Sequence, residues 1–312
     1  MPTVTPVGGV VRPGDASHHQ RRRAWRRNSG LYVLLAPSLV LVAVFAYYPA
    51  GKAVVNALFD GSYGRMGNFV GLENFARLAG DPVFHQAVAN MAIFTLVTAL
   101  LSTVIPLFIA ETIFWLASER AKSVYRVLVM WPVIVPGVVT LLIWQFIYDG
   151  DSGMLNSLLG AIGLGHLQTS WLGNISTALW AVIFTGFPWV SGLAVLIYLA
   201  GLKDIEKEVF DAGAVDGIAG FRRFWHLDRP LLNGQIRLNF ILSVIGGTQA
   251  FVAPLVLTQG GPANATMVPG LYLYRAAFML GQLGYASAIG VTLFILILVL
   301  TALFNTILRN QR

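Results

Sequence analysis

Six stretches of this chain are too long and too apolar to face water: about 31–50, 88–112, 125–147, 175–199, 238–258 and 284–308. A helix rising 1.5 Å per residue needs about 20 such residues to cross a hydrocarbon layer of about 30 Å. Backbone amides in that layer find no water, so each run must pair its own amides as a helix. The expected fold is an all-α membrane protein with about six transmembrane helices. Composition points the same way. Of 312 residues, 56% are hydrophobic types and 11% are charged, whereas soluble domains carry about 25% charged residues.

Charge placement sets the expected orientation. Residues 1–29 are polar and basic, with Arg21, Arg22, Arg23, Arg26 and Arg27, and read as a disordered cytoplasmic arm ahead of a transmembrane domain, 30–312. A signal peptide is the rival reading of residues 1–50. The apolar run from Leu31 to Ala50 is longer than a signal core and ends in Tyr47, Tyr48 and Pro49 rather than a small-residue cleavage site, so a retained first span is preferred. With the N-terminus inside, 17 of the 21 Lys and Arg fall on cytoplasmic segments and 4 on the opposite side, so both termini are expected in the cytoplasm. The net charge of +7 is read as this topological bias, with no nucleic-acid partner and with membrane lipid as the surroundings. Glu111, near the end of the second run, is placed at the cytoplasmic interface, because a lone carboxylate at mid-bilayer is costly. The chain has no cysteine, and its five histidines show no metal-ligand spacing, so no metal site is expected.

Three neighbouring spans are interrupted. The third holds Pro132 and Pro136, the fourth Gly186 and Pro188, and the fifth Gly246, Gly247 and Pro254. Proline removes a backbone hydrogen bond, and in lipid the freed carbonyl needs another partner. These kinks suit either helix packing or the lining of a pathway. Trp144, Gln145, Trp189, Thr248, Gln249 and Phe251 lie near them. Amides, hydroxyls and flat aromatic faces are what a sugar or polyol requires, although each of these residues equally suits packing or an interfacial position.

Between the fourth and fifth spans lies one long charged loop, 201–234. Residues 201–237 hold six Lys or Arg and also six Asp or Glu, more acids than orientation requires. The pattern predicts two short helices. The first runs from about Ile205 to Val215, with Glu206 and Glu208 in its first turn and an apolar stripe of Ile205, Val209, Ala212 and Gly213. It ends at Gly217, whose expected φ is positive. The second runs from about Ala219 to His226, with Asp216 expected to help start it and Pro230 beyond its end. A docking knob for another protein and an interfacial helix on lipid headgroups are the two readings of such a segment.

The spacing Asp211-Ala212-Gly213, Asp216-Gly217, Phe224, Leu227 and Pro230 resembles the "EAA" loop of binding-protein-dependent ABC importer permeases. The chain departs from that pattern at Asp211 for Glu, Gly213 for Ala, Ile218 for Ala and Leu227 for Ile. Phe69-Val-Gly-Leu-Glu-Asn-Phe75, Trp131-Pro-x-x-x-Pro136 and Leu257-Thr-Gln-Gly-Gly-Pro-Ala-Asn-Ala-Thr266 are similar to further segments of the carbohydrate and glycerol-phosphate subgroup. Within it the chain resembles the first permease of the maltose/glycerol-phosphate type. The resemblance implies a bacterial inner-membrane location and a transport role. Asp211, Ala212, Gly213, Asp216, Gly217, Phe224 and Pro230 would engage an ATPase. It implies as partners a second permease, an ATP-binding-cassette ATPase dimer and an extracytoplasmic solute-binding protein that delivers a small-molecule solute.

The chain has no G-x-x-x-x-G-K-[ST] phosphate loop. It is therefore not expected to be an enzyme or to hold a cofactor, with ATP and Mg bound by the partner ATPase. The alternative is an ion-coupled secondary transporter. Such proteins use charged groups near mid-membrane, and the spans as drawn place none there.

Overall fold

The structure, a computed structural model, describes residues 33–62, 65 and 67–309, and the predicted arm 1–29 lies outside them. Two units divide the chain at Val55/Asn56. The described part of the first is the helix α1, Val33–Asn56, which carries through the boundary by one residue and extends the predicted first span.

The second unit is helical. Its elements are α2 (Glu73–Ala79), α3 (Pro82–Phe114), α4 (Glu119–Met130), α5 (Gly137–Ile147), α6 (Met154–Ala161), α7 (Ala178–Phe184), α8 (Gly192–Lys203), α9 (Lys207–Val215), α10 (the consecutive turns Gly220–Arg223, Phe224–Asp228 and Arg229–Leu231), α11 (Asn233–Thr248), α12 (Val252–Leu257), α13 (Pro269–Tyr274) and α14 (Leu283–Arg309). Among the described residues β-pairing is limited to two isolated bridges, Phe59 with Phe69 and Ser62 with Arg65.

α3 is the spine of this unit. It has 33 residues, about 50 Å at 1.5 Å each, longer than the predicted 88–112 and longer than the hydrocarbon layer. Asp81 caps it, accepting from the amides of Val83 (2.8 Å) and Phe84 (3.3 Å), and Pro82 fills the first position, where no amide partner is needed. The same carboxylate accepts from the hydroxyls of Tyr272 and Tyr285. Burial pushes the Asp81 carboxyl up, but the two hydroxyls and two amides outweigh it and hold it below the usual carboxylate value. Phe84, Ala87 and Met91 of α3 then enter one core cluster with Met267, Leu271, Tyr285 and Ile289. At its other end Leu107, Ala110 and Ile113 enter a second cluster with Val195, Tyr198, Leu202, Phe224 and Leu232.

Among the described residues four helices are long and apolar enough to cross a membrane, or five if the bent pair 119–147 is one span. Three predicted spans differ from straight helices. In the third, Trp131–Ile134 forms a tight turn with Pro132, Val135 is extended before Pro136, and the axis bends by 84°. The fourth, 175–199, is not one helix. α7 stops at Phe184, the Phe187–Pro188 peptide is cis, Trp189 has φ 54°, and Ser191 caps a new helix, α8, through the amide of Ala194. With 12 residues, α8 alone is about 18 Å long. In the fifth, the expected break at Gly246-Gly247 is absent. The helix runs on to Thr248, and the interruption falls at Gln249–Phe251, ahead of α12.

Packing explains that glycine pair. A Cβ on Gly247 would lie 3.0 Å from the Thr95 Cα of α3, whereas one on Gly246 would meet nothing within 4 Å. Gly247 is small so that two helices can approach, the device by which helices associate without a hydrophobic drive. Gly247→Ala should therefore destabilise the α3–α11 contact by roughly 1–3 kcal/mol and lower the apparent melting temperature in detergent. Gly246→Ala should not. Equal melting temperatures for the two variants would remove this account of the pair.

Candidate functional site

The loop joining α8 to α11 folds as two helices, with boundaries shifted from expectation. The first begins at Lys207 with Glu206 as its capping residue. It ends in a Schellman arrangement: Gly217 N–H donates to the Ala214 carbonyl (3.1 Å), Ile218 N–H donates to the Gly213 carbonyl (2.8 Å), and Gly217 has φ 71°. The second helix starts at Gly220, not Ala219, and continues past His226 through Pro230 to Leu231. Its capping residue is Ala219, without a side-chain bond. Asp216 closes α9 instead of opening α10, because Gly217 reverses the chain immediately after it.

Each face of α9 has its own environment. Inward, Gly213 is buried, and a Cβ there would touch Leu227 at 3.7 Å, an ordinary contact that an alanine would make. Phe210 meets the rings of Trp115 (5.1 Å) and Phe114 (5.9 Å) at the end of α3. Outward, Glu206, Glu208, Asp211, Ala212 and Asp216 are exposed. The expected stripe is thus rotated: Ile205 and Val209 are half-buried beside Phe210 and Gly213, whereas Ala212 faces out. Asp211 has no hydrogen bond or ion pair among the described residues and lines a 420 Å³ cleft with Lys122, Lys203 and Lys207. Val215 is 88% exposed and Phe221 69%. Neither was singled out from sequence, because an isolated apolar residue in a charged loop carries no periodic signal.

Phe224 and Pro230 sit elsewhere. Phe224 is buried, stacked on Phe108 of α3 at 5.0 Å, and so anchors α10 to the second core cluster. Pro230 is exposed and lines a 730 Å³ cavity with Thr103 and Gln235.

Beside it is a polar cluster that sequence reasoning missed. The Trp115 Nε1–H donates to Glu111 (3.2 Å), the Arg223 guanidinium lies 3.3 Å from the centre of the Trp115 ring, and Arg223 Nε–H donates to the fully buried Asp228 carboxylate (3.1 Å). The signal was hidden by spacing. Residues five apart lie on different faces of an α-helix, but the widened turn Phe224–Asp228 brings Arg223 and Asp228 together.

The six predicted pathway residues fall in two groups. Trp144 and Trp189 meet through Phe184, at 5.6 and 5.3 Å, with Phe187 stacked on Phe184 at 5.2 Å. Gln145, next to Trp144, is exposed. Thr248, Gln249 and Phe251 surround the break between α11 and α12. Thr248 spends its hydroxyl on the Val244 and Ile245 carbonyls of its own helix, Gln249 is exposed, and Phe251 stacks on Tyr274 at 6.3 Å. α12 packs against α5 and α7, so the three interrupted segments adjoin. The adjacent loop is shaped by left-handed Gln259, Gly260, Ala263 and Asn264, and Asn90 of α3 ties it down through the carbonyls of Asn264 (3.1 Å) and Met267 (2.9 Å).

Comparison with known proteins places this geometry. The chain is 32% identical over 272 residues to the probable ABC transporter permease protein YurN of Bacillus subtilis, covering 86% of this chain and 92% of that protein. It is 29% identical over 315 residues to the diacetylchitobiose uptake system permease protein NgcF of Streptomyces coelicolor, covering 97% and 89%. Its fold matches a chain of the bacterial alginate ABC transporter crystallised with an alginate pentasaccharide-bound periplasmic protein, with a TM-score of 0.81, 19% identity and coverage of 92% and 96%. Residues 102–312 match the family model of binding-protein-dependent transport system inner membrane components, and the chain belongs to that family as a transmembrane permease of an ABC importer.

Proposed function

We propose that this permease pairs with a second permease to form the pathway for a sugar, polyol or glycerol-phosphate-like solute. An extracytoplasmic binding protein delivers the solute, and an ATPase dimer docked on residues 201–234 drives the cycle. ATP and Mg are bound by that ATPase and not by this chain. The chain crosses the bacterial inner membrane six times, counting the broken fourth segment as one crossing, with both termini and the loop in the cytoplasm. The charge asymmetry of 17 to 4 supports this orientation. The carbohydrate named for NgcF supports the solute class.

The observation that carries the docking role is the outer face of the loop. Val215 and Phe221 hold apolar surface in water beside Asp211 and Asp216. Exposed apolar side chains rimmed by charge mark a protein contact. The acids disfavour the rival reading, since the cytoplasmic leaflet is itself negative. ATP can shift an inward–outward equilibrium only by binding one state better than the other, so the loop must report the ATPase state to the membrane helices. Ion coupling gains no support: Glu111 lies in the last turn of α3, and Arg237 is the fifth residue of α11, so both sit toward helix ends.

Because the chain is cysteine-free, single cysteines test the orientation. Ser118→Cys and Ala219→Cys should resist an impermeant thiol reagent in intact cells, and Ala161→Cys should react. The reverse pattern would overturn the topology. Docking is tested by co-purification with the ATPase. Asp211→Ala should weaken it roughly fivefold, the worth of a partly exposed ion pair, and Val215→Asp should weaken it more. Gly217→Val should abolish it, because a β-branched residue at φ 71° is strained even where its Cβ meets no neighbour. Undiminished ATPase binding in all three variants would sink the docking reading.

A further inference from the structure

Docking alone does not move a membrane helix. The loop is covalently continuous with α8 and α11, but α3 can feel it only by contact. That contact has an apolar part, Phe224 on Phe108 and Phe210 on Trp115, and a charged part around Arg223. Glu111 and Asp228 are both buried, and among the described residues Glu111 Oε1 and Asp228 Oδ1 have no N–H or hydroxyl donor. The two carboxyl groups are close enough to interact, and Arg223 acts on both. Two buried carboxyl groups in contact must share a proton or repel, and the Arg223 guanidinium on Asp228 offsets the charge that remains. The guanidinium is itself held flat on the Trp115 ring, which the Nε1–H bond to Glu111 orients.

We propose that Arg223, stacked on Trp115 and paired with Asp228, is the positioning residue that locks α10 to the end of α3, so that displacement of the loop is passed into the membrane helices instead of being absorbed within the loop. This rests on the loop being the ATPase dock. The apolar contacts supply adhesion but allow sliding. The charged cluster admits one register, because any slip of α10 along α3 takes Arg223 off the Trp115 ring and Asp228 away from Glu111.

The test uses the full transporter in liposomes with binding protein and solute, reading ATPase co-purification and solute taken up per ATP hydrolysed. Arg223→Ala should keep ATPase co-purification within about twofold and lower uptake per ATP about tenfold. Arg223→Lys, which keeps the charge but not the flat stacking group, should fall between. Adding Glu111→Gln to Arg223→Ala removes the repulsion and should recover part of the loss, which a role in packing alone would not predict. Trp115→Phe keeps a ring for Arg223 and loses only the bond to Glu111, and should be milder than Trp115→Ala. Normal uptake per ATP in Arg223→Ala, or no recovery on adding Glu111→Gln, overturns the lock. Should Val215→Asp also leave ATPase binding intact, the dock itself is misplaced. If Val215→Asp fails to bind while Arg223→Ala transports normally, the dock stands and only the lock falls.

Discussion

A peptide group in hydrocarbon has no water to fall back on, and much of this fold is a response to that constraint. α3 meets it over 33 residues without a break, although Pro106 within it has no amide to donate, and it is closed by Asp81 at one end and by the Trp115 amide on the Glu111 carbonyl at the other. Other segments can break because α3 does not. α4, α7, α8, α11 and α13 all pack on it, and its two ends organise two separate core clusters. Gly247 leaves room for Thr95 of α3, and Tyr198, whose hydroxyl donates to the Thr103 carbonyl at 3.2 Å, pins α8 to the same rod.

The interruptions have a common logic. Non-helical backbone is tolerated at membrane depth where protein or a wet cavity covers it. The breaks at 131–136, 185–191 and 249–251 lie in segments that adjoin one another through α5, α7 and α12. The aromatic group Trp144, Phe184, Phe187 and Trp189 gathers at the second of them. Trp189 holds a left-handed backbone, and its buried indole N–H has no partner. A bulky residue in that conformation persists only where its surroundings over-determine it, so this corner is built around the break and is not a casual kink.

Much of this was legible in the sequence, and the failures have physical causes. Apolar run length found the four helices that, among the described residues, are long and apolar enough to cross a membrane, because burial in lipid tolerates almost no charge. Gly217 after Asp216 was legible because few residues end a helix with positive φ. The glycine pair 246–247 misled, since low helix propensity reads as a break, whereas here it answers a close helix–helix contact. The fourth span misled in the opposite sense. Gly186 and Pro188 read as a kink, but the helix ends at Phe184 and a separate one starts at Gly192, a choice that composition does not encode. The Arg223–Asp228 pair was invisible to rules built on three- and four-residue spacing.

On the docking role proposed above, the loop would need two chemistries, and it has them. Toward the membrane domain it presents Phe210, Gly213, Phe224 and Arg223, which are packed or paired. Toward solvent it presents Val215, Phe221 and Asp211, which are not satisfied within the chain. An element satisfied on both faces would have nothing left to bind with, and one satisfied on neither would not hold its shape while unbound. The chain places its strained and widened elements, Gly217 at positive φ and the turn Phe224–Asp228, at the two points where the loop must change direction between these faces. Their geometry turns the acidic, apolar surface outward while keeping Phe224 and Arg223 on α3. A force applied to the first reaches α8 and α11 through the backbone and α3 through the buried contacts, and these three helices already pack on one another. Movement of the loop is therefore resisted by a bundle and not by a single helix, which is the mechanical condition for carrying a small displacement at the membrane surface to the broken segments beyond it.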